Sequence, residues 1–213
     1  MRDHFPWQSL LGMLEPDPVA RRAAFALFSS PSPAGRSLRQ QFQAAIENTE
    51  TEFHGLGVEM NMRYVSPAVN TDDETDPPPE KPADEIRTHQ VGTYPGKRLP
   101  HVWLNTRIPG KRVSTVDLAG HGRFCLFTGP GGDGWRGAAE RVSGRIGVEV
   151  VVYSIGWGMD WEDVYFDWAR VRGVEEDGCV LVRPDRFVAW RAGGWAEGAE
   201  GRLEGVLRGV LAL

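Results

Sequence analysis

The stretch TGPGGDGW, Thr128 to Trp135, decides between two folds. Gly129, Gly131 and Gly134 keep the spacing G-x-G-x-x-G. An apolar run, GRFCLF, precedes it, and a helix-like run, WRGAAERVSGRI, follows from Trp135. That strand–turn–helix setting is what a dinucleotide-binding fingerprint requires. The fingerprint also needs an acid at the end of the second strand, to hold a ribose. Here that strand ends Tyr153-Ser154-Ile155-Gly156-Trp157, and Asp160 comes only after a Gly-Trp-Gly-Met turn. Pro130 removes an amide donor that a phosphate would use. Trp135 is bulky where a backbone must approach a pyrophosphate. The stretch therefore reads as a strand-to-helix turn.

Outward from this turn, the C-terminal part of the chain is α/β. RVSTVDLAG and GRFCLFTGP read as two strands joined by a Gly-His-Gly turn. The next helix sets Trp135, Ala138, Ala139, Val142 and Ile146 on one face. VEVVVYSIG is a continuous apolar run, as expected at the centre of a buried sheet. A helical segment, DWEDVYFDWARVRG, mixes acids with aromatics. Its acids suit the positive end of a helix, and Arg170 and Arg172 balance them, so its aromatic face is expected to pack on the sheet or on a partner. GCVLVRPDRFVAWRA reads as a hairpin turning near Asp185. The last helix carries Leu203, Val206, Leu207, Val210 and Leu211 on one face. Strand–helix–strand, then an antiparallel hairpin and a closing helix, describe an α/β thioredoxin-like sandwich: a central mixed sheet with flanking helices. In that fold the strand-to-helix turn is the place of a redox CxxC pair. Glycines and Asp133 stand there instead.

Three regions are expected: a helical segment over 1–65, an acidic Pro-rich linker over 66–93, and the thioredoxin-like domain over 94–213. Pro18 behind Asp17 marks a helix start. A longer helix over about 36–53 keeps Leu38, Phe42, Ala45, Ile46, Thr49 and Phe53 at helical spacing. NTDDETDPPPEKPADE has too few large apolar groups to bury a core, so it is expected to be a mobile or extended connection.

Composition excludes several functions. The formal net charge is −5 in 213 residues, so no basic footprint for nucleic acid exists. No apolar run approaches the roughly 18 residues of a membrane span. MRDHFPWQSLLGMLEPD lacks a small-residue cleavage site and carries acids early, which makes the cytoplasm the expected location. Cys125 and Cys179, in FCLF and GCVLV, form no CxxC and are expected to be buried thiols.

Four stretches, EFHGLGVEMNMRY, TYPGKRLPHVWL, STVDLAGHGRFCLFTGPGG and DGCVLVRPDRFVAWRA, in this order, resemble the C-terminal part of FAD-dependent aromatic hydroxylases. The likeness is to the phenol 2-monooxygenase and 2,4-dichlorophenol 6-monooxygenase type, polyketide hydroxylases included, and covers nearly the whole chain. It implies a thioredoxin-like C-terminal domain without redox cysteines. A full-length relative has a long preceding portion that holds the FAD fingerprint and the substrate sheet. FAD and NADPH are therefore implied only for such a relative, and no cofactor or metal is expected in this chain. The resemblance implies a non-catalytic module that supports dimerisation or docks to a flavin domain. A homodimer or a flavoprotein is the expected partner.

The alternative is a stand-alone, cofactor-free isomerase, cyclase or dehydratase acting on an aromatic or polyketide intermediate. Its acid–base groups would be His121 on the Gly-flanked turn, Asp117 beside it, and His101 in LPHVWL. The remaining histidines, His4, His54 and His89, share no metal-ligand spacing with these. A third reading, thioredoxin-like redox chemistry, would need reactive Cys125 and Cys179.

Overall fold

The computed structural model describes residues 6–213; His4 lies outside them. The chain forms two compact units. One holds the chain through Glu59 with Asp84–Thr88, and the other holds Met60–Ala83 with His89–Leu213.

Helices α1 (Pro6–Leu10), α2 (Pro18–Ser29), α3 (Pro33–Thr49) and α4 (Leu56–Met60) come first. Asp17 caps α2 as its sequence suggests, accepting hydrogen bonds from the Val19 and Ala20 amides. Helix α3 starts at Pro33 rather than near Arg36, because the Ser32 hydroxyl accepts the Gly35 N–H and Pro33 takes the first position. Phe28 and Phe42 meet edge to face with centroids 5.2 Å apart. This unit has almost no interior: among its described residues only Gly35, Thr49 and Gly57 are buried.

The second unit contains β1 (Trp103–Leu104), β2 (Val113–Ser114), α5 (Thr115–Leu118), β3 (Phe124–Thr128), α6 (Asp133–Ile146), β4 (Val150–Ser154), α7 (Asp167–Val171), β5 (Cys179–Val182), β6 (Val188–Ala192) and α8 (Ala199–Leu211). Its main sheet has the order β4-β3-β5-β6. Strands β3 and β4 run parallel, and the other pairs are antiparallel. The expected mixed sheet with flanking helices, following a helical segment, is present. Strand β3 is buried at every position because its period of two feeds both faces. Phe124 and Leu126 join Trp135, Val142, Trp190, Leu203 and Leu207 under α6 and α8. Cys125 and Phe127 join Leu104, Ile155 and Trp168 on the other side.

Two elements differ from their sequence reading. RVSTVDLAG is not one strand: only Val113 and Ser114 extend, paired with β1, and Thr115–Leu118 turn helical. The cause is a capping box, in which the Asp117 carboxylate accepts the Ser114 N–H at 2.9 Å and the Ser114 hydroxyl accepts the Val116 N–H at 3.1 Å. VEVVVYSIG does not supply the sheet centre: β4 lies at the edge. It is still apolar on both sides, because Val150 and Val152 face the helices while Tyr153 packs beside Phe127.

The acidic stretch is extended, without a regular element from Asn61 to Leu99, yet it is anchored. The Asn70 N–H donates to the Ala189 carbonyl at 2.8 Å. The Trp190 indole N–H donates to Asp73 at 2.6 Å. Arg191 grips Glu74 with two nitrogens, and that carboxylate is 7% exposed. The acids that make this stretch look like a solvated connection in sequence are here the groups that fasten it to β6.

Both sheet edges are covered. Along β6, Gly96 donates to Val188, Val188 to Lys97, and Leu99 to Arg186. Along β4, Val150 donates to the Ser143 hydroxyl and Ser154 to Asp160, while Arg136 caps the Val152 carbonyl and Trp161 the Ser154 carbonyl. Edges blunted in this way offer little backbone for pairing with another chain.

Candidate functional site

The glycine turn is a packing device. A Cβ on Gly129 would lie 2.8 Å from the Glu176 carbonyl oxygen, and one on Gly134 would lie 2.4 Å from the Trp195 ring. Gly131 has φ +83°, a conformation that favours glycine. Trp135 is fully buried, donates from its indole to the Asp177 carbonyl at 2.8 Å, and meets Trp190 and Trp195 edge-on. Two amides of the turn are already engaged: Gly132 donates to Gly129 and Trp135 to Gly132, each at 3.0 Å. A carbonyl oxygen and an indole occupy the approach. These residues do not fit a dinucleotide.

The groups expected as acid and base are near one another, but their side chains do not combine as a dyad. His121 is exposed, adopts φ +60°, and its Nε2 lies 2.9 Å from the Asp117 backbone carbonyl. The Asp117 carboxylate is spent on the α5 cap. His101 places Nδ1 2.6 Å from the Ser114 hydroxyl and stands edge-on to Trp103 at 4.7 Å. That hydroxyl is itself the cap of α5. These contacts order the β2–α5 corner. His54 is exposed beyond α3. Among the described residues no cluster of His, Cys, Asp or Glu has the geometry to hold a metal.

Both thiols are free and buried, as expected. Burial pushes the Cys125 thiol up, and pushes Cys179 up much further. Cys179 and Cys125 are enclosed in the two core clusters, where burial disfavours their thiolate forms.

A feature outside these predictions is a cleft of about 540 Å³ at the carboxyl ends of β3 and β4. In open α/β sheets that end is where ligands gather. Ile155 and Trp168, 1% and 2% exposed, are its most deeply buried lining residues. The lining also includes Pro130, the Asn105–Arg107 loop, Trp157 and Phe166. Loops on its two sides are stitched together by reciprocal backbone hydrogen bonds between Asn105 and Glu162, at 3.1 and 2.7 Å. Asp163 starts α7 by accepting the Trp168 and Ala169 amides. It thereby supports Phe166, which is left-handed at φ +56° and 70% exposed. Trp157, between Gly156 and Gly158, is 87% exposed. DWEDVYFDWARVRG thus contributes a short helix rather than a long one. Trp168 packs inward, Tyr165 and Phe166 face out, and Arg170 pairs with Asp167.

Residues 92–212 match the family model described as aromatic-ring hydroxylase, C-terminal. The chain belongs to this family. It is 39% identical over 212 residues to 2,4-dichlorophenol 6-monooxygenase of Delftia acidovorans, which covers 99% of this chain and 36% of that protein. It is 41% identical over 184 residues to phenol 2-monooxygenase of Pseudomonas sp. (strain EST1001), covering 86% and 30%. Among solved structures it resembles the flavin-dependent monooxygenase PieE, crystallised with FAD and substrate. That match has a TM-score of 0.81 and 37% identity, over 96% of this chain and 34% of PieE. The chain therefore spans about a third of the length of the relatives it matches.

Within this aromatic-ring hydroxylase C-terminal family, the resemblance carried by the four quoted stretches holds. The cleft was not singled out from sequence. Its one local signal is Gly156-Trp157-Gly158 directly after a strand, a tryptophan between residues that cannot cover it.

Proposed function

We propose that this chain acts as the non-catalytic C-terminal module of an FAD-dependent aromatic monooxygenase, supporting dimerisation or docking to a flavin domain. The observation that carries the reading is the uncovered helical unit. Val19, Phe53 and Val58 are each more than two-thirds exposed, and Leu14, Phe25 and Leu56 are also exposed. Large apolar side chains exposed in this number on one small unit fit a contact with another protein surface. The covered edges of the sheet favour a face-to-face contact over strand addition.

The order strand–helix–strand, hairpin and closing helix supports a thioredoxin-like sandwich whose redox turn has been given over to glycines. Two free, buried thiols suit a reducing compartment such as the cytoplasm.

Light scattering tests the reading, on the chain alone and mixed with the flavin-binding portion of a relative. The expected result is a homodimer or a stoichiometric complex, lost in the Phe53→Asp, Val58→Asp double variant while the sheet unit keeps its near-UV signal. A monomer that binds no flavin portion would overturn it.

A further inference from the structure

The cleft at the carboxyl ends of β3 and β4 belongs to the sheet unit and is not needed for docking through the helices. Its volume of about 540 Å³ lies in the range of small-molecule sites. Aromatic and aliphatic groups make up most of its wall area, as in such sites, and Arg107, Glu162, Asp163, Arg172 and Glu176 also line it.

Two aromatic side chains are held in solvent at a cost. Phe166 keeps a left-handed backbone, which is strained for a bulky residue and persists only where its surroundings impose it. Asp163 imposes it, through two amides of α7 and its own carbonyl, which accepts the Phe166 N–H. Trp157 is likewise set out by two glycines at positive φ. Strain of this kind gathers at ligand clamps.

The charged groups differ in how far they are already committed. Glu162 accepts the Gly158 N–H at 3.0 Å, and Asp163 holds the start of α7. Arg172 donates to the Val174 carbonyl and faces Glu176 at 3.8 Å. Arg107 alone among these has no hydrogen bond or ion pair to any described residue. A guanidinium presents paired donors that fit a carboxylate.

We propose that this cleft binds a small planar aromatic carboxylate, with its ring against Trp157 and Phe166 and its carboxylate on Arg107. A cationic ligand would meet carboxylates already engaged by amides. A neutral one would leave Arg107 unused.

The test is a calorimetric and tryptophan-fluorescence titration of the chain with 2-naphthoate, 2-naphthylmethanol and 2-naphthylmethylammonium. Saturable binding of naphthoate is expected, at least about tenfold tighter than either analogue. Arg107→Gln should erase that preference and weaken with it the salt dependence of binding. Trp157→Ala should weaken all binding about tenfold, as loss of one aromatic contact does. Both positions are exposed, and unchanged melting of the variants confirms that they fold. No saturable binding, equal binding of the three probes, or indifference to both substitutions would overturn the site. So would a Trp157→Ala chain that changes its state of association while its naphthoate affinity stays the same. None of these outcomes touches the docking reading, which rests on Phe53 and Val58.

Discussion

The helical unit and the sheet unit spend their apolar residues differently. In the sheet unit, Trp135, Trp190, Leu126, Leu203 and Leu207 are fully buried and touch one another across two helices and a sheet. In the helical unit, no large apolar side chain among the described residues is buried. Yet α2 and α3 are well made locally: each has a capping side chain and a proline at its first turn. The contrast teaches that local helix signals and a core are separate things. Caps fix where a helix starts and contribute about 1 kcal/mol each. Burial is what makes a unit stand alone, and short helices are marginal without it.

The largest effect that would sharpen this contrast is Trp190→Ala. It removes a buried indole, its hydrogen bond to Asp73 and its contact with Trp135, and should cost about 3–5 kcal/mol in denaturant unfolding of the sheet unit. Phe25→Ala should cost under about 1 kcal/mol in the isolated chain. Equal costs would break the contrast. Next is Glu74→Gln, which leaves Arg191 without its charge partner in a largely buried setting. A loss of about 2–3 kcal/mol is expected, with faster proteolysis of the acidic stretch. If that stretch were only a connection, neither measure would move.

Glycine substitutions probe the turn. Gly134→Ala should lower stability by about 1–3 kcal/mol, because Trp195 must be displaced. Gly144→Ala on the same helix meets nothing within 4 Å and should add about 0.5–1 kcal/mol. Thermal melts that rank them the other way would refute the packing account of TGPGGDGW.

The smallest effect concerns pH. Hydrogen bonds from Arg141 and Arg145 hold the Glu200 carboxyl below its ordinary 4.5, and those from Arg208 and Arg145 do the same for Glu204. A depressed carboxylate contributes stability that is fully present above 4.5 and is lost as pH falls through the folded value. The Arg141 and Arg145 pairs join α6 and α8 and the Arg208 pair lies within α8; all are exposed and screened, so the loss between about pH 6 and about pH 3 should be modest and smaller in high salt. Denaturant melts at the two pH values, with and without Arg145→Ala, check it.

Much of the sheet unit was legible in the sequence because its elements are periodic and long. FCLF, the face of α6, the CVLV hairpin and the face of α8 each appear where their patterns place them. Two boundaries rest on local capping signals rather than on periodicity. Ser114-Thr-Val-Asp117 is a capping box, and Ser32-Pro33 is a helix start. The edge position of β4 was not readable, since an apolar run looks the same at a centre and at an edge covered by other residues. At the proposed acid–base group, sequence proximity placed His121 beside Asp117 but gave no direction for the carboxylate.

By itself, the sequence determined most of the element types of the sheet unit, the absence of a redox pair at residues 128–135, and membership of the aromatic-ring hydroxylase C-terminal family. These follow from spacing along the chain, which local sterics and hydrophobic periodicity convert directly into structure. Only the tertiary structure decided that Asp73 and Glu74 are fasteners, that the glycines admit Trp195 and the Glu176 carbonyl, and that a cleft opens between Arg107, Trp157 and Phe166. Each of those depends on residues far apart in the chain meeting in space, and no pattern local in sequence encodes such a meeting.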